Sequence, residues 1–276
     1  MSSDINRRVL PGFGLSLGYA SLYMSLLVLI PLAAILLKSA TLSPAEFFAA
    51  AWTPRAQSAY ALTLGTSLIA ALVNIPLGVL IAWVLVRYAF PGKRILDAII
   101  DLPFALPTAV AGLVYSSLYV QKGWLGQYLV PLGIHGAYSR LAIVLVLTFI
   151  GLPFIVRTVQ PVLADLEAEI EEAAACLGAT RLQTFWRVLL PTLLPATVTG
   201  FALAFARGLG EYGSVVFVSG NMPFKTEIAP VLVVSALESF KYADAAAIAV
   251  VMLIMSFSLL IGINLLERWT KRHGYV

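Results

Sequence analysis

The sequence predicts an all-α membrane protein with six transmembrane helices, and three observations support this fold class. The chain is 60% hydrophobic and 12% charged, with a mean hydropathy of +0.92. A soluble domain is about half apolar and about a quarter charged, so this composition indicates an integral membrane protein. Six predominantly apolar runs follow one another along the 276 residues. Basic residues concentrate in alternate connections between these runs, which is typical of multi-pass proteins.

The six runs give the predicted boundaries of the membrane spans. The first run follows Arg7 and Arg8 and is longer than the apolar region of a signal peptide, so we interpret it as the first span. The second exceeds the roughly 20 residues that cross a bilayer, and Asn74 and Pro76 predict a bend at its middle. Residues 1–276 are therefore interpreted as a single membrane domain. The predicted spans are about 14–37, 59–86, 98–120, 141–158, 194–219 and 245–266.

The distribution of basic residues predicts the orientation of the chain, with both termini in the cytoplasm. Residues 38–58 then form an outer loop, and the apolar stretch 228–236 forms a short re-entrant or surface helix on the outer side. Eleven basic residues lie in segments assigned to the cytoplasm, against six in outer segments. The cytoplasmic set is Arg7, Arg8, Arg87, Lys93, Arg94, Arg157, Arg181, Arg187, Arg268, Lys271 and Arg272; the outer set is Lys38, Arg55, Lys122, Arg140, Lys225 and Lys241.

Several classes of function are excluded by what the sequence lacks. The net charge of +4 does not indicate nucleic-acid binding, because the basic residues are spread between apolar runs. The single cysteine, Cys176, is expected to be a small buried residue, and His135 and His273 make no metal-binding cluster. The sequence contains no glycine-rich phosphate-binding loop of the Gly-x-x-x-x-Gly-Lys-Ser/Thr type. We therefore expect no catalytic, cofactor or metal site on this chain. Energy for uphill transport would come from another polypeptide.

A charged stretch within residues 160–191 is predicted to form two short helices that meet at a sharp corner. Ala, Leu and Glu favour a helix over residues 163–175, with Asp165 as its N-cap, and Gly178 is suited to the left-handed turn that ends it. Thr180 and Gln183 have the spacing of a capping box for the next helix. Such a corner outside the bilayer is a candidate contact for another protein. Its candidate residues are Glu171, Glu172, Ala173, Ala174, Gly178, Thr180 and Arg181, followed by one apolar helical face of Leu182, Phe185, Trp186 and Leu189.

The third predicted span has two prolines four residues apart, Pro103 and Pro107, on one face of a helix. Each removes a backbone donor and frees a carbonyl, which must find partners inside the protein or in a wet cavity. Two interpretations stay open, a packed kink and a lining for a transport path. Thr108 and Ser116 are the candidate uncharged donors along such a path. Asp97 and Asp101 are expected to interact with the helix dipole and the helix cap.

The fifth predicted span carries Arg207 and Glu211, the two charges deepest in any span. Their spacing of four residues places them one above the other on one helical face. A lone charge at that depth costs roughly 3 kcal/mol, so we expect the two side chains to pair. The pair belongs either to a gate or to a static support that holds the bundle together.

The corner and its flanks resemble a known family. Glu172, Ala173, Ala174 and Gly178 match the Glu-Ala-Ala-x-x-x-Gly loop of permease subunits from binding-protein-dependent ABC importers, and Val188-Leu189-Leu190-Pro191 matches its tail. Over most of its length the chain resembles the sulfate/thiosulfate permeases of this family. The main stretches of this resemblance are Arg87–Gly92, Asp101–Leu113, Pro153–Leu163 and Gly208–Gly213.

This resemblance implies a type I ABC importer permease fold and a set of partners. These are a second homologous permease subunit (CysW-like), two ATPase subunits (CysA-like) that bind ATP and Mg, and an extracytoplasmic sulfate-binding protein. The implied location is the bacterial cytoplasmic membrane, where the corner would be the loop coupling this chain to the ATPase. Two alternatives remain. One is the same machinery for another oxyanion such as molybdate. The other is a secondary transporter, which would show repeated halves and need no such loop.

Overall fold

The computed structural model describes residues 13–273, except for the side chains of Ala168 and residues 266–273. Within that range the regular elements are all helices, as predicted. Arg7, Arg8, Arg268, Lys271 and Arg272, on which the predicted orientation partly rests, lie outside the side chains described. The helices are α1 (Phe13–Ser39), α2 (Pro44–Ala51), α3 (Pro54–Arg87), α4 (Lys93–Ile100), α5 (Leu102–Ala105), α6 (Thr108–Tyr119), α7 (Gly126–Leu129), α8 (Arg140–Asp165), α9 (Ala168–Cys176), α10 (Arg181–Leu209), α11 (Val215–Val218), α12 (Ala229–Glu238) and α13 (Tyr242–His273).

Five helices in the described part of the chain, α1, α3, α8, α10 and α13, are long and apolar enough to cross a membrane. They coincide with five of the six predicted spans. The boundaries differ most for α8, which continues to Asp165 rather than ending near 158, and for α10, which ends at Leu209 rather than near 219. Below, the end of the bundle that carries α9 is called the inner end, and the opposite end the outer end.

The third predicted span is divided into α4, α5 and α6, so the prediction of one helix with two prolines on one face is wrong. The break lies at Leu106, whose ψ of 134° is extended. Proline disfavours the helical conformation in the residue before it, and Pro107 follows Leu106 directly. Pro103 lies in the first turn of α5, where its missing N–H costs little. We call residues 93–105 the inner half of the third segment and residues 108–119 the outer half.

The core lies where α3, α8 and α10 pack together. Its buried apolar side chains include Leu85, Ile155 and Leu193. Glycine permits close approach here, because a Cβ on Gly78 of α3 would lie 2.6 Å from Cγ2 of Ile155 on α8. By contrast, the described side chains of α1 are almost all exposed in the isolated chain.

Two short helices lie at the outer end. α2 occupies part of the predicted outer loop 38–58 and begins with a capping box between Ser43 and Glu46. The Ser43 backbone N–H donates to Glu46, and this hydrogen bond lowers the pKa of the Glu46 carboxyl below its ordinary value of 4.5. The helix predicted at 228–236 is confirmed as α12, with Ala229, Val231 and Leu232 buried.

Candidate functional site: the inner corner and the divided third segment

We call the turn between α9 and α10 the inner corner. Its backbone hydrogen bonds require one residue in the left-handed conformation. The N–H of Gly178 donates to the carbonyl of Ala175, and that of Ala179 donates to Ala174, at 2.9 and 3.0 Å. This is the Schellman pattern, which uses the last free carbonyls of a helix. Gly178 has φ +83°, and a Cβ there would meet nothing within 4 Å. The turn therefore depends on the backbone freedom of glycine and not on space for a side chain.

α10 begins immediately after this turn with the predicted capping box. The Gln183 side chain accepts from the N–H of Thr180 at 2.8 Å, and the Thr180 hydroxyl accepts from the N–H of Gln183 at 3.3 Å. The predicted start of the preceding helix is wrong. Asp165 is the last residue of α8, the chain is extended at Leu166 and Glu167, and α9 begins at Ala168. Asp165 cannot cap α9 because it still belongs to the helix before.

The corner exposes a mixed apolar and charged surface. Leu177 is 89% exposed, and Leu182 and Trp186 are more than half exposed, whereas Leu189 is buried. The predicted single apolar face is therefore split, because α10 has a π-helical stretch over Phe185–Leu189 that rotates the side chains. Cys176, expected to be buried, is exposed in the last turn of α9. Of the remaining predicted corner residues, Ala174 is buried, while Glu172, Ala173, Thr180 and Arg181 are exposed.

One ion pair attaches the corner to the helical bundle. Nη2 of Arg87, the last residue of α3, lies 2.6 Å from Oε1 of Glu171 on α9 and also donates to the carbonyl of Leu166 at 3.2 Å. Its contact with Glu171 is an ion pair without the alignment of a hydrogen bond. A cleft of about 510 Å³ lies beside this pair, and Arg181 contributes to its wall. Sequence reasoning did not find this pair, because the partners are 84 positions apart.

Arg157 of α8 holds the inner half of the third segment. Its Nε and Nη2 donate to the two carboxylate oxygens of Asp101 at 2.8 and 2.6 Å. Nη1 donates to Oδ1 of Asp97 and to the side-chain oxygen of Gln160, both at 2.7 Å, and Nη2 also donates to the carbonyl of Asp97 at 2.9 Å. The expectation that Asp97 and Asp101 serve the helix dipole and cap is wrong, because α5 has no side-chain cap bond and both carboxylates bind Arg157. The signal was present in the sequence: two aspartates four apart, and one arginine near the inner end of a span.

Arg207 and Glu211 come together, but not on one helical face. α10 ends at Leu209, so Glu211 lies in the loop that follows, with Oε2 located 2.6 Å from Nη1 of Arg207. Oε1 of Glu211 accepts from the backbone N–H and the hydroxyl of Ser214, both at 2.9 Å. The Glu211 side chain is 2% exposed and that of Arg207 is 35% exposed. The carboxylate is therefore fixed on both of its oxygens.

The loop after α10 packs directly against the outer half of the third segment. A Cβ on Gly112 would lie 2.3 Å from the carbonyl oxygen of Ser214, and one on Gly213 would lie 2.3 Å from Oγ1 of Thr108. Thr108 is thus brought beside the loop that holds Glu211. Ser116 is buried and donates its hydroxyl hydrogen to the carbonyl of Leu113 at 2.9 Å, within its own helix.

A second buried carboxylate at the outer end was missed by sequence reasoning. Glu227 accepts two hydrogen bonds from Arg55, at 2.7 Å from Nε and 2.6 Å from Nη2. The same connection is held by Arg140, whose Nε donates to the carbonyl of Lys225, and by Thr63, whose hydroxyl accepts from the N–H of Ala229. No local pattern indicates the partner of Glu227, because Arg55 is 172 positions away. Within the part of the chain that the structure describes, no group of three or more metal-ligating side chains occurs.

Comparison with known proteins gives both close relatives and a shared fold. The family described as "Binding-protein-dependent transport system inner membrane component" matches residues 74–272. Several relatives bear the name "Sulfate transport system permease protein CysT". The one from Synechocystis sp. is 54% identical over 253 residues, which cover 92% of this chain and 88% of the relative. The one from Escherichia coli K12 is 47% identical over 262 residues, 95% of each chain.

Several solved structures share the architecture at low sequence identity, and two of them illustrate it. One is a bacterial alginate ABC transporter in complex with an alginate pentasaccharide-bound periplasmic protein, with a TM-score of 0.78 and 18% identity over 97% of both chains. The other is the MetNI methionine ABC transporter in an inward-facing conformation, with a TM-score of 0.56 and 19% identity over 78% of this chain and 93% of that one. At such identity the likeness shows the fold alone, which is that of type I importer permeases.

Proposed function

Since this chain belongs to the binding-protein-dependent transport system inner membrane component family, we propose that it is the permease subunit of an ATP-driven importer for sulfate, and for thiosulfate as well. The proposed substrate is supported by the identity of 47–54% to relatives named as sulfate permeases, over nearly the whole length of the chain. The chain itself is a multi-pass membrane protein. It would form half of the translocation path.

The proposal includes partners and a place in the cell. We assign a second, CysW-like permease to the other half of the path, and two CysA-like ATPase subunits, with ATP and Mg, to the inner end. An extracytoplasmic sulfate-binding protein would deliver the anion at the outer end, and the assembly would lie in the bacterial cytoplasmic membrane. A periplasmic protein bound to the alginate transporter of the same fold supports the binding-protein partner.

The inner corner is the proposed contact with the ATPase. It has an exposed apolar and charged surface around Leu177, a rigid backbone turn at Gly178, and an ion pair from Glu171 to α3. A load applied to such a corner is transmitted to the bundle through α8, α10 and the Arg87 contact. The proposed coupling residues are Glu171, Glu172, Ala173, Ala174, Gly178, Thr180 and Arg181.

Gly178→Val tests this assignment, and Gly133→Val is its matched control. Both glycines have positive φ with open space around the Cβ position, +83° and +78°, so valine costs about 1–2 kcal/mol of backbone strain at either site. We expect Gly178→Val to insert and assemble but lose sulfate uptake, and Gly133→Val, far from the corner, to retain it. Normal uptake by Gly178→Val, or equal loss in both variants, would contradict the assignment.

The proposed sulfate path lies beside the third segment and α10. The break at Leu106 frees backbone groups near Pro103 and Pro107, and Thr108 lies beside the loop that carries Glu211. Uncharged donors suit a dianion in transit, because conduction needs binding weak enough to release. Thr108 is a better candidate than Ser116, whose hydrogen is already donated within its helix. The two bonds from Ser214 to Glu211 support a static role for the Arg207–Glu211 pair.

Uptake in a bacterial strain without its own sulfate importer tests the substrate. The chain is expressed with its partner subunits and binding protein, and radioactive sulfate uptake is measured with and without excess thiosulfate or molybdate. We expect ATP-dependent uptake that thiosulfate inhibits and molybdate does not. If the cells took up molybdate and not sulfate, molybdate would be the substrate instead. Uptake driven by an ion gradient without the ATPase subunits would overturn the proposed class.

A further inference from the structure

The two halves of the third segment are attached to the bundle in different ways. The outer half packs backbone against backbone on the loop after α10, through Gly112 and Ser214. The inner half has mainly side-chain attachments: the Arg157 hydrogen bonds, the buried Ile100, and Phe104 packed edge-on against Phe154 at 5.2 Å between ring centroids. The hinge between the halves is the extended Leu106. The inner half is therefore the part whose position depends on a few side chains.

Arg157 is the principal attachment, and its donors are fully used. A guanidinium has five N–H donors. Arg157 directs all five at protein acceptors, two on the carboxylate of Asp101, one on the carboxylate of Asp97, one on the carbonyl of Asp97, and one on Gln160. No donor remains for an anion in transit. Because all five N–H donors are used within the protein, Arg157 has a structural role and does not bind substrate.

Removal of Arg157 would also leave two like charges close together. Asp97 on α4 and Asp101, the residue between α4 and α5, are four positions apart, and with Arg157 the cluster carries a net charge of −1. Both carboxylates are nearly half exposed, at 40% and 46%. Without the arginine they would hydrate and repel each other, and the inner half would lose its main contact with α8.

α8 connects this attachment to the corner. Arg157 lies eight residues before Asp165, the end of α8, a distance of about 12 Å along the helix. Two extended residues then lead into α9. A displacement of the corner therefore reaches Arg157 through a short connection that includes Pro161 of α8, and Arg157 passes it to the inner half.

We propose that Arg157 is a positioning residue that makes the inner half of the third segment follow α8, and thereby sets the width of the inner end of the translocation path. This proposal rests on the transport function proposed above. Arg157 does not contact the anion. It determines whether movement of the coupling corner changes the path.

The first test measures ATP hydrolysed per sulfate transported in liposomes containing the assembled transporter and its binding protein. Arg157→Gln and Asp101→Asn are compared with Arg94→Gln, which changes an exposed arginine on the same short helix α4. At equal amounts of assembled complex, we expect either cluster variant to raise the ratio about 2- to 30-fold, the range typical of coupling mutations. The double variant is expected to rise no further than the single ones, because both remove one attachment. A ratio unchanged from wild type, or matched by Arg94→Gln, would overturn the proposal.

The second test needs no substrate, so it separates failure of this proposal from failure of the transport function. Cys176, the only cysteine, is replaced by serine, and Ala105→Cys is introduced in the inner half. Maleimide labelling of Ala105→Cys is then measured in the assembled complex without ATP. We expect Arg157→Gln to increase the labelling rate and Arg94→Gln to leave it unchanged. Equal rates with and without Arg157 would show that another contact holds the inner half.

Discussion

The carboxylates at the two ends of the bundle differ in how deeply they are buried. At the outer end, the side chains of Glu211 and Glu227 are 2% and 4% exposed, and each is paired with an arginine. At the inner end, Glu171, Asp97 and Asp101 also pair with arginines, but their side chains are 28%, 40% and 46% exposed. The ion pairs therefore look alike by distance, and their carboxylates differ in access to water. The arginines do not follow this order, since they are 43% and 35% exposed at the outer end and 20% and 30% exposed at the inner end.

This difference decides which end can rearrange. Loss of one partner from a buried pair costs about 3–5 kcal/mol, because the remaining charge has no solvent. An exposed pair contributes about 0–1 kcal/mol, since water replaces the partner. The outer pairs are thus fixed supports, whereas the inner pairs lie in parts of the chain that water reaches and that can move, with the third segment kept on α8 by Arg157. Such an asymmetry suits the proposed importer, which an ATPase would drive from its inner end.

Arg207→Met is the variant with the largest expected effect on stability. It leaves Glu211 buried with its two Ser214 hydrogen bonds and no counter-charge, at a cost of about 3–5 kcal/mol. Arg87→Met, which leaves the partly exposed Glu171 unpaired at the inner end, is the matched control and is expected to cost clearly less, because water reaches part of the Glu171 side chain. Thermal unfolding of the purified complex measures both. Equal losses would remove the distinction between the two ends.

Gly112→Ala tests the backbone contact at the outer end. The new methyl group would lie 2.3 Å from the Ser214 carbonyl oxygen, and backbone cannot move aside as a flexible side chain does. We expect a loss of about 1–3 kcal/mol, the usual cost of overpacking. Gly210→Ala, in the loop that Gly112 packs on, has nothing within 4 Å and φ −92°, and serves as the control with little change. Comparable melting temperatures for the two variants would show that the outer half is not held by this contact.

Glu46→Gln tests whether the burial of a carboxylate or its position in the bundle determines its contribution to stability. It has the smallest expected effect on the melting temperature. Glu46 lies at the outer end but is exposed, so it is expected to resemble the inner carboxylates, with a melting temperature that falls only slightly at neutral pH. Its pKa is below 4.5 because it accepts from the Ser43 N–H. A lowered pKa gives stability above the unfolded-state pKa, which is lost as the pH falls through the folded-state pKa. The small wild-type advantage is therefore expected to vanish in acid. A large loss at neutral pH would mean that position, not burial, governs these pairs.

Much of this architecture could be predicted from local sequence. Apolar runs located five helices, and the positive φ of Gly178 and the Thr180–Gln183 capping box followed from residue type and spacing. These features depend on neighbours within a few positions. The resemblance at Glu172–Gly178 likewise led to the family that the comparisons show.

What sequence reasoning missed depends on tertiary contact. The ion-pair partners of Arg157, Arg87 and Glu227 lie 56 to 172 positions away, and no periodicity identifies them. The break at Leu106 is a different error, because the effect of Pro107 on the preceding residue was underestimated. The end of α10 at Leu209 was missed because Gly208 and Gly210 were assigned to a helix interior.

Hydrogen–deuterium exchange of the assembled transporter tests the contrast between the two ends most directly. Amide exchange is compared in the nucleotide-free complex and in the complex trapped with ATP and vanadate, because local opening is read from exchange rates. We expect peptides covering residues 93–105 and 168–184 to change their exchange rates between the two states. Peptides covering residues 207–219 and 225–238 are expected to exchange alike in both. Changes at the outer peptides as large as those at the inner ones, or none at residues 93–105, would contradict a fixed outer end and a movable inner end.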